Sequence, residues 1–254
     1  MKVELKEGER IDRLEREKIS IIQSSQVFSF SLDAVLLADF ARLPRTKKGV
    51  IVDLCSGNGA VAFLLTAKTK NNILGVELQE ALVDMAKRTV SLNELDEKVA
   101  FLQADVRDLK GVIAKDSVDV ITCNPPYFKV AKENLTNKLD SYTLARHEVC
   151  LPLDELLASI SGLLKMKGKA YLVHRPDRMA DIITLARKYR LEPKRVQFVS
   201  PKKGKESNIM IMEFIKDGGL GGMRILPELV VFDEQDQYTD ELRTILFGEQ
   251  DDKE

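Results

Sequence analysis

The tetrapeptide Asn124-Pro125-Pro126-Tyr127 is the sharpest chemical feature of the sequence. It follows an apolar, β-branched run from Val118 to Cys123, and so stands at the carboxyl end of a strand. The two prolines remove backbone donors and fix two φ angles, which presents carbonyls rigidly and outward. The Asn124 side-chain oxygen and the Pro125 carbonyl can each accept one N–H of a planar NH2 group. That grip holds a poorly nucleophilic nitrogen in place and favours the tetrahedral geometry needed for in-line attack on an electrophilic carbon. Tyr127 adds a face on which a flat, extruded base can stack. Asn124, Pro125, Pro126 and Tyr127 are the candidate catalytic group, with Tyr127 and Phe128 as substrate contacts.

A second constellation is Val52-Asp53-Leu54-Cys55-Ser56-Gly57-Asn58-Gly59-Ala60, at a strand-to-helix turn. Gly57 and Gly59 allow a tight turn and close backbone approach to a ligand. Gly57-x-Gly59-x-x-Ala62 also fits a relaxed dinucleotide fingerprint, a weak match by itself. Asp53, four residues before Gly57, interrupts a strand that normally stays apolar in nicotinamide binders. The pattern D-x-x-x-G-x-G resembles motif I of class I methyltransferases, whose loop holds S-adenosylmethionine. Glu77 ends the next strand, where an acid can accept hydrogen bonds from both ribose hydroxyls of a nucleoside, or simply be solvated. Asp105, followed by Val106, ends the third strand, where it can accept from an adenine amino group or cap a turn, with Val106 donating from its backbone.

These residues need a frame, and the sequence supplies one. Strands are expected at Gly49–Leu54, Ile73–Glu77, Val99–Gln103, Val118–Cys123 and Ala170–His174. They alternate with helices at Ala60–Lys68, Glu80–Asn93, Pro152–Leu164 and Arg178–Tyr189. Val196–Val199 and Ile209–Ile215 form a closing pair. The pattern predicts a doubly wound, Rossmann-like α/β fold, mostly parallel with an antiparallel closing strand, and ligands at the carboxyl ends of the strands. The expected divisions are an N-terminal extension over 1–30, the catalytic domain over 31–216 and a C-terminal extension over 217–254 with a disordered acidic tail. Ser31 is expected to cap a helix running to Phe40, with Asp33 in its first turn. Asn124 to Val149 has little periodicity and is long for a loop, as a functional lid would be.

Of the 254 residues, 44% are hydrophobic and 31% charged, enough for a full core. No apolar run approaches the roughly 20 residues that span a bilayer, and residues 1–18 lack a signal peptide's apolar core. A cytoplasmic protein with no membrane partner is expected. The three cysteines, Cys55, Cys123 and Cys150, have no framework spacing and read as reduced thiols. The two histidines, His147 and His174, sit in no cluster, so no metal is expected. A net charge of −1 argues against nonspecific coating of nucleic acid, so any such contact must use a local patch. Lys202, Lys203 and Lys205, with Arg195, could supply one that meets phosphates, or be ordinary solvated lysines.

Taken together, several stretches resemble the bacterial tRNA adenine-N6 methyltransferases that modify the adenine just 3′ of a valine tRNA anticodon. They are Phe28-Ser29-Phe30-Ser31-Leu32-Asp33-Ala34-Val35-Leu36-Leu37-Ala38, the Asp53–Ala60 turn, Asn124-Pro125-Pro126-Tyr127-Phe128, Ala145-Arg146-His147-Glu148, Val173-His174-Arg175-Pro176-Asp177-Arg178 and Pro201-Lys202-Lys203-Gly204-Lys205-Glu206. The resemblance spans roughly residues 10 to 235. It implies S-adenosylmethionine as cofactor, held by Asp53, Gly57, Gly59, Glu77 and Asp105, with Val106, Asn124 and the Asn58 backbone beside them. It implies that the Phe30–Asp33 region folds over the methionine end, making Phe30 and Ser31 contacts. RNA, tRNA first, is the implied partner; oligomeric state is left open. Asn-Pro-Pro-Tyr is shared with enzymes that methylate the glutamine amide of peptide release factors, also a planar NH2. Those enzymes usually carry a separate N-terminal helical domain, whereas here the first strand is expected from Gly49. Ribosomal RNA adenine is the other alternative.

Overall fold

The structure, a computed structural model, describes residues 3–24, 31–126 and 151–248. The chain opens with a hairpin, β1 (Glu9–Leu14) and β2 (Ile19–Ser24), that forms its own two-stranded sheet. Then follow α1 (Leu32–Phe40), β3 (Ile51–Leu54), α2 (Ala60–Thr66), β4 (Ile73–Glu77), α3 (Glu80–Leu92), β5 (Val99–Gln103) and β6 (Val118–Cys123). After the undescribed stretch come α4 (Leu153–Leu163), β7 (Leu164–His174), α5 (Met179–Lys188), β8 (Leu191–Lys202) and β9 (Ile209–Lys216). Two short strands, β10 (Arg224–Ile225) and β11 (Leu229–Phe232), and α6 (Asp240–Phe247) complete it.

Nine described strands make the main sheet, in the order β10-β8-β9-β7-β6-β3-β4-β5 with β11 also on β8. Only β9 among them runs antiparallel to its neighbours. This is the expected doubly wound α/β architecture with an antiparallel closing strand. Alternation divides the core between two faces. Ile51, Ile73, Val99, Val120, Tyr171 and Val173 lie under α1, α2 and α3, and Leu242 of α6 joins the same cluster. Val52, Leu54, Val76, Ile121 and Leu172 face α4 and α5 on the other side.

Several elements depart from the sequence reading. β7 starts directly where α4 ends, and its register on β6 slips between Val118–Leu164 and Val120–Lys169. Lys167 at φ 64 and Gly168 carry that bulge, where a Cβ on Gly168 would meet Lys165 O at 2.8 Å. β8 is also far longer than Val196–Val199, because β9, β10 and β11 all pair with it. Ser31 stands at the N-cap of α1 and its carbonyl accepts from Ala34 N, but its hydroxyl does not cap. That oxygen is buried with no partner among the described residues, so the expected side-chain cap is corrected.

Candidate functional site

All the parallel strands end at one edge of the sheet, and the residues singled out by their chemistry collect there. Register makes the first row. Asp53 of β3 lies opposite Thr122 of β6 on one side and Gly75 of β4 on the other, and Gly75 lies opposite Phe101 of β5. In-register neighbours share a face, so Thr122 Oγ1 donates to Asp53 Oδ1 at 2.6 Å. On the other side the Phe101 ring fills the space that Gly75 leaves, where a Cβ would come within 2.4 Å of it.

Asp53 is 1% exposed, and its second carboxylate oxygen has no partner among the described residues. Burial pushes this carboxyl up to about 7; the Thr122 hydrogen bond opposes the rise and the Glu77 charge adds to it. Glu77, also buried, accepts from Gly57 N at 2.9 Å and from Gln79 N at 3.0 Å. Each of its oxygens keeps a second lone pair for a ligand hydroxyl.

The loop between β3 and α2 is held by backbone: Ser56 N donates to Val76 O at 3.0 Å and Gly59 N to Ser56 O at 2.8 Å. Gly57 and Gly59 take φ values of 56° and 91°, which favour glycine. Their surroundings differ. Nothing lies within 4 Å of a Cβ built on Gly57, whereas on Gly59 it would strike Phe101 at 2.5 Å and Phe63 at 2.7 Å. Gly57 thus lines open space, and Gly59 lets α2 pack against β5. Asn58 is buried and its side-chain amide donates to Ile22 O of the hairpin at 3.0 Å, which ties β2 to the loop.

Ser31 reaches this end of the molecule through α1. Lys68, just past α2, donates from Nζ to the carbonyls of Ala38, Asp39 and Ala41 at the end of α1. Lashing the two C-termini together sets α1 and α2 side by side in the same direction, so Ser31 and Gly59 share an end. Three buried side-chain oxygens lack partners among the described residues: Ser31 Oγ, Asp53 Oδ2 and Ser56 Oγ. Buried orphans are rare because each costs about 1–3 kcal/mol. That all three belong to α1's start and the β3 loop points to a polar ligand between them. Ser56 was not singled out in the sequence; no pattern marks it apart from its place inside the loop.

Asn124, half-buried, and Pro125, buried, follow β6 directly. Leu54 pairs with Cys123, so Asn124 is level with Cys55, one strand away from the glycine loop. Asp105 sits beyond β5, where Arg107 Nη2 and Nε donate to it at 2.6 and 2.9 Å and Arg107 N at 2.9 Å. The Arg107 side chain holds this carboxyl below its ordinary value. Val106 packs its side chain into the core. The turn after β8 carries exposed Lys203 and Lys205 at the same edge of the sheet, while Lys202 pairs with Asp236. Register carries Cys123 across Leu172 and Met212 to Val196, so the turn lies three strand intervals of about 4.8 Å to the side of the clamp and six or more residues of about 3.3 Å beyond it, roughly 25 Å away. Arg195 is instead buried against Glu213 at 2.7 Å and over the Phe40 ring. Phe30, Tyr127, Phe128, Arg146, His147 and the expected lid beyond Pro126 lie outside the described residues.

The methyltransferase small domain, as a family, matches residues 18–142, which span β2, the glycine loop and the clamp. A tRNA1(Val) (adenine(37)-N6)-methyltransferase of Photobacterium profundum is 30% identical over 188 residues, covering 72% of this chain and 75% of that protein. The chain belongs to this methyltransferase family. A Bacteroides thetaiotaomicron relative of the same description is 29% identical over 72% of this chain and 74% of its own. The fold agrees: a solved structure from Agrobacterium tumefaciens, described as a predicted O-methyltransferase, superposes with a TM-score of 0.66 at 19% identity, covering 85% and 96% of the two chains.

As a methyltransferase of this family the protein uses S-adenosylmethionine. The residues present fit it: buried oxygens of Ser31, Asp53 and Ser56 without partners among the described residues, open space at Gly57, and the strand-end acid Glu77 bonded to the Gly57 N–H. Among the described residues no group of three or more His, Cys, Asp or Glu is gathered for a metal ion, and no helix is long and apolar enough to cross a membrane.

Proposed function

We propose that the protein is a cytoplasmic enzyme that methylates the exocyclic N6 amine of an adenine in tRNA, the adenine beside the anticodon of a valine tRNA. One observation carries the reading: the Asn124-Pro125 carbonyl pair stands level with the glycine loop, one strand away. A site that only bound a nucleoside would have no use for two rigid acceptors aimed at an amine. The names of the relatives favour adenine over the glutamine amide.

Asp53, Ser31 and Ser56 offer their unpartnered oxygens to the amino-acid end of the cofactor, and Glu77 accepts from ribose hydroxyls. When bound, S-adenosylmethionine supplies a methyl group on an electrophilic sulfonium centre. Asn124 Oδ1 and the Pro125 carbonyl take the two N–H bonds of N6, aim its lone pair at that methyl and localise it on nitrogen. The methylated nitrogen, now positively charged, releases its proton to water without a strong base. Tyr127 and Phe128 would stack the extruded base, and Lys203 and Lys205 would meet phosphates of the flanking strand.

The test is incubation of the purified protein with radiolabelled S-adenosylmethionine and total RNA from a strain lacking it, followed by mass spectrometry of digested nucleosides. Label in N6-methyladenosine of the tRNA fraction is expected. Label absent from RNA but present on a release-factor glutamine would overturn the adenine reading.

A further inference from the structure

Cys55 and Cys123 stand on neighbouring strands beneath the site. β3 pairs with β6 with Leu54 opposite Cys123, so Cys55 lies one residue farther along. Strands about 4.8 Å apart with a rise of about 3.3 Å per residue place the two Cα atoms roughly 5.8 Å apart. That lies inside the range of about 4.4–6.8 Å that a disulfide spans. Cys123 belongs to the apolar cluster under α4 and α5, Cys55 packs against the same cluster, and both are free. Their exposures differ: Cys123 is fully buried, whereas Cys55 is only part-buried, in the left-handed region at φ 55. Burial, and then the neighbouring Cys55 thiol, keeps the Cys123 thiol well above its ordinary value. An oxidant from solvent therefore meets Cys55 first.

We propose that this pair is a modification site at which hydrogen peroxide forms a Cys55–Cys123 disulfide and closes the active site. The Cys55 thiolate attacks one peroxide oxygen and breaks the O–O bond, leaving a sulfenic acid on Cys55 and releasing hydroxide, which leaves as water. The Cys123 sulfur then attacks the Cys55 sulfur; its proton leaves with the departing hydroxide as a second water. Two thiols lose two electrons and the peroxide gains them. Cys55 directly precedes Ser56 and Gly57, and Cys123 directly precedes Asn124. Drawing the sulfurs together to a bond of about 2.05 Å moves the glycine loop against the clamp by an amount on the order of an ångström. A misplacement of about 1 Å can cost 10²-fold in rate. The loss of methyl transfer rests on the function proposed above; the bond itself does not.

The full-length Cys150→Ser chain, which keeps only Cys55 and Cys123, should be treated with a small excess of hydrogen peroxide. Remaining thiols are then alkylated, peptides mapped without reduction, and S-adenosylhomocysteine affinity measured by calorimetry before and after. Expected are an intramolecular peptide pair joining positions 55 and 123, lighter by two hydrogens, and an affinity at least tenfold weaker. Dithiothreitol should restore both, and adding Cys55→Ser or Cys123→Ser should abolish the linked pair. Thiols that stay alkylatable, Cys55 driven to sulfinic acid with Cys123 still free, or a linked pair with unchanged affinity would each overturn the proposal. Because these readouts need no RNA, a failure to methylate tRNA would count against the proposed function alone.

Discussion

At the scale of single residues, Asn124 and Asp53 occupy opposite ends of the chemistry and should fail differently. Asn124→Ala removes one of two acceptors for the amine and leaves the glycine loop untouched. Methyl transfer should drop about 10²-fold, in the range for losing one positioned hydrogen-bonding group, with S-adenosylhomocysteine affinity in calorimetry near normal. A variant with full activity would remove Asn124 from the clamp. Asp53 makes a prediction about pH. Its folded-state value is raised to about 7 from the ordinary 3.8, so between those values the folded chain holds a proton that the unfolded chain has lost. By linkage this group's contribution to stability is full below pH 4 and declines as pH rises to about 7. Asp53→Asn keeps an acceptor for Thr122 and cannot ionise. The variant should gain melting temperature over the parent at pH 8 and little at pH 4, while binding cofactor more weakly. An equal shift at both pH values would mean that the carboxyl is not the source.

At the scale of elements, the strand–loop–helix from Ile51 to Thr66 separates binding from packing within three residues. Gly59→Ala drives a Cβ into Phe101 and Phe63 and strains a backbone at φ 91, so it should cost about 2 kcal/mol or more in urea unfolding. Gly57→Ala meets no atom within 4 Å and bears only the left-handed strain, on the order of 1 kcal/mol. Its methyl group instead occupies the face offered to the cofactor, so S-adenosylhomocysteine affinity should fall more than stability does. If the two variants behave alike in both assays, the division is wrong. This turn was legible in the sequence because its glycines and Asp53 act within a few residues of one another. The same holds for β4, β5 and β6, whose apolar runs are short, β-branched and cleanly bounded. What the sequence hid depends on distant partners. β1, Glu-Arg-Ile-Asp-Arg-Leu, has too few apolar positions to announce a strand, and it exists because β2 docks on α3 through Ile22 N to Thr89 Oγ1 and on the loop through Asn58. The side-chain bond expected of Ser31 was the natural reading of a serine before a helix; its orphaned oxygen emerges only in three dimensions.

At the scale of the whole molecule, the sheet does not stop where the expected catalytic region ends at residue 216. β10 and β11 add to the outer side of β8 in parallel, and α6 lays Leu242 into the cluster beneath α1 and α2. Ser200, fully buried, donates to Glu228 and without it would keep only Ser207 as a partner, and Lys202 would lose Asp236. Leu229, Val231 and Leu242 are 2%, 6% and 0% exposed. At about 1.5–3 kcal/mol for each fully buried side chain, their contacts contribute roughly 5–9 kcal/mol. For a chain of this size each kcal/mol corresponds to about 2–4 °C in melting temperature. A chain ending at Lys216 should therefore melt on the order of 10 °C or more below the full protein, and Leu242→Ala alone should cost about 2–5 kcal/mol. Both are read by calorimetry or circular dichroism. The lysine turn hangs from β8, so a frayed β8 would also loosen the surface offered to RNA, and the truncated chain should lose RNA affinity before it loses cofactor affinity. A truncated chain that melts within a few degrees of the parent would make residues 217–248 an appendage rather than the outer wall of the sheet.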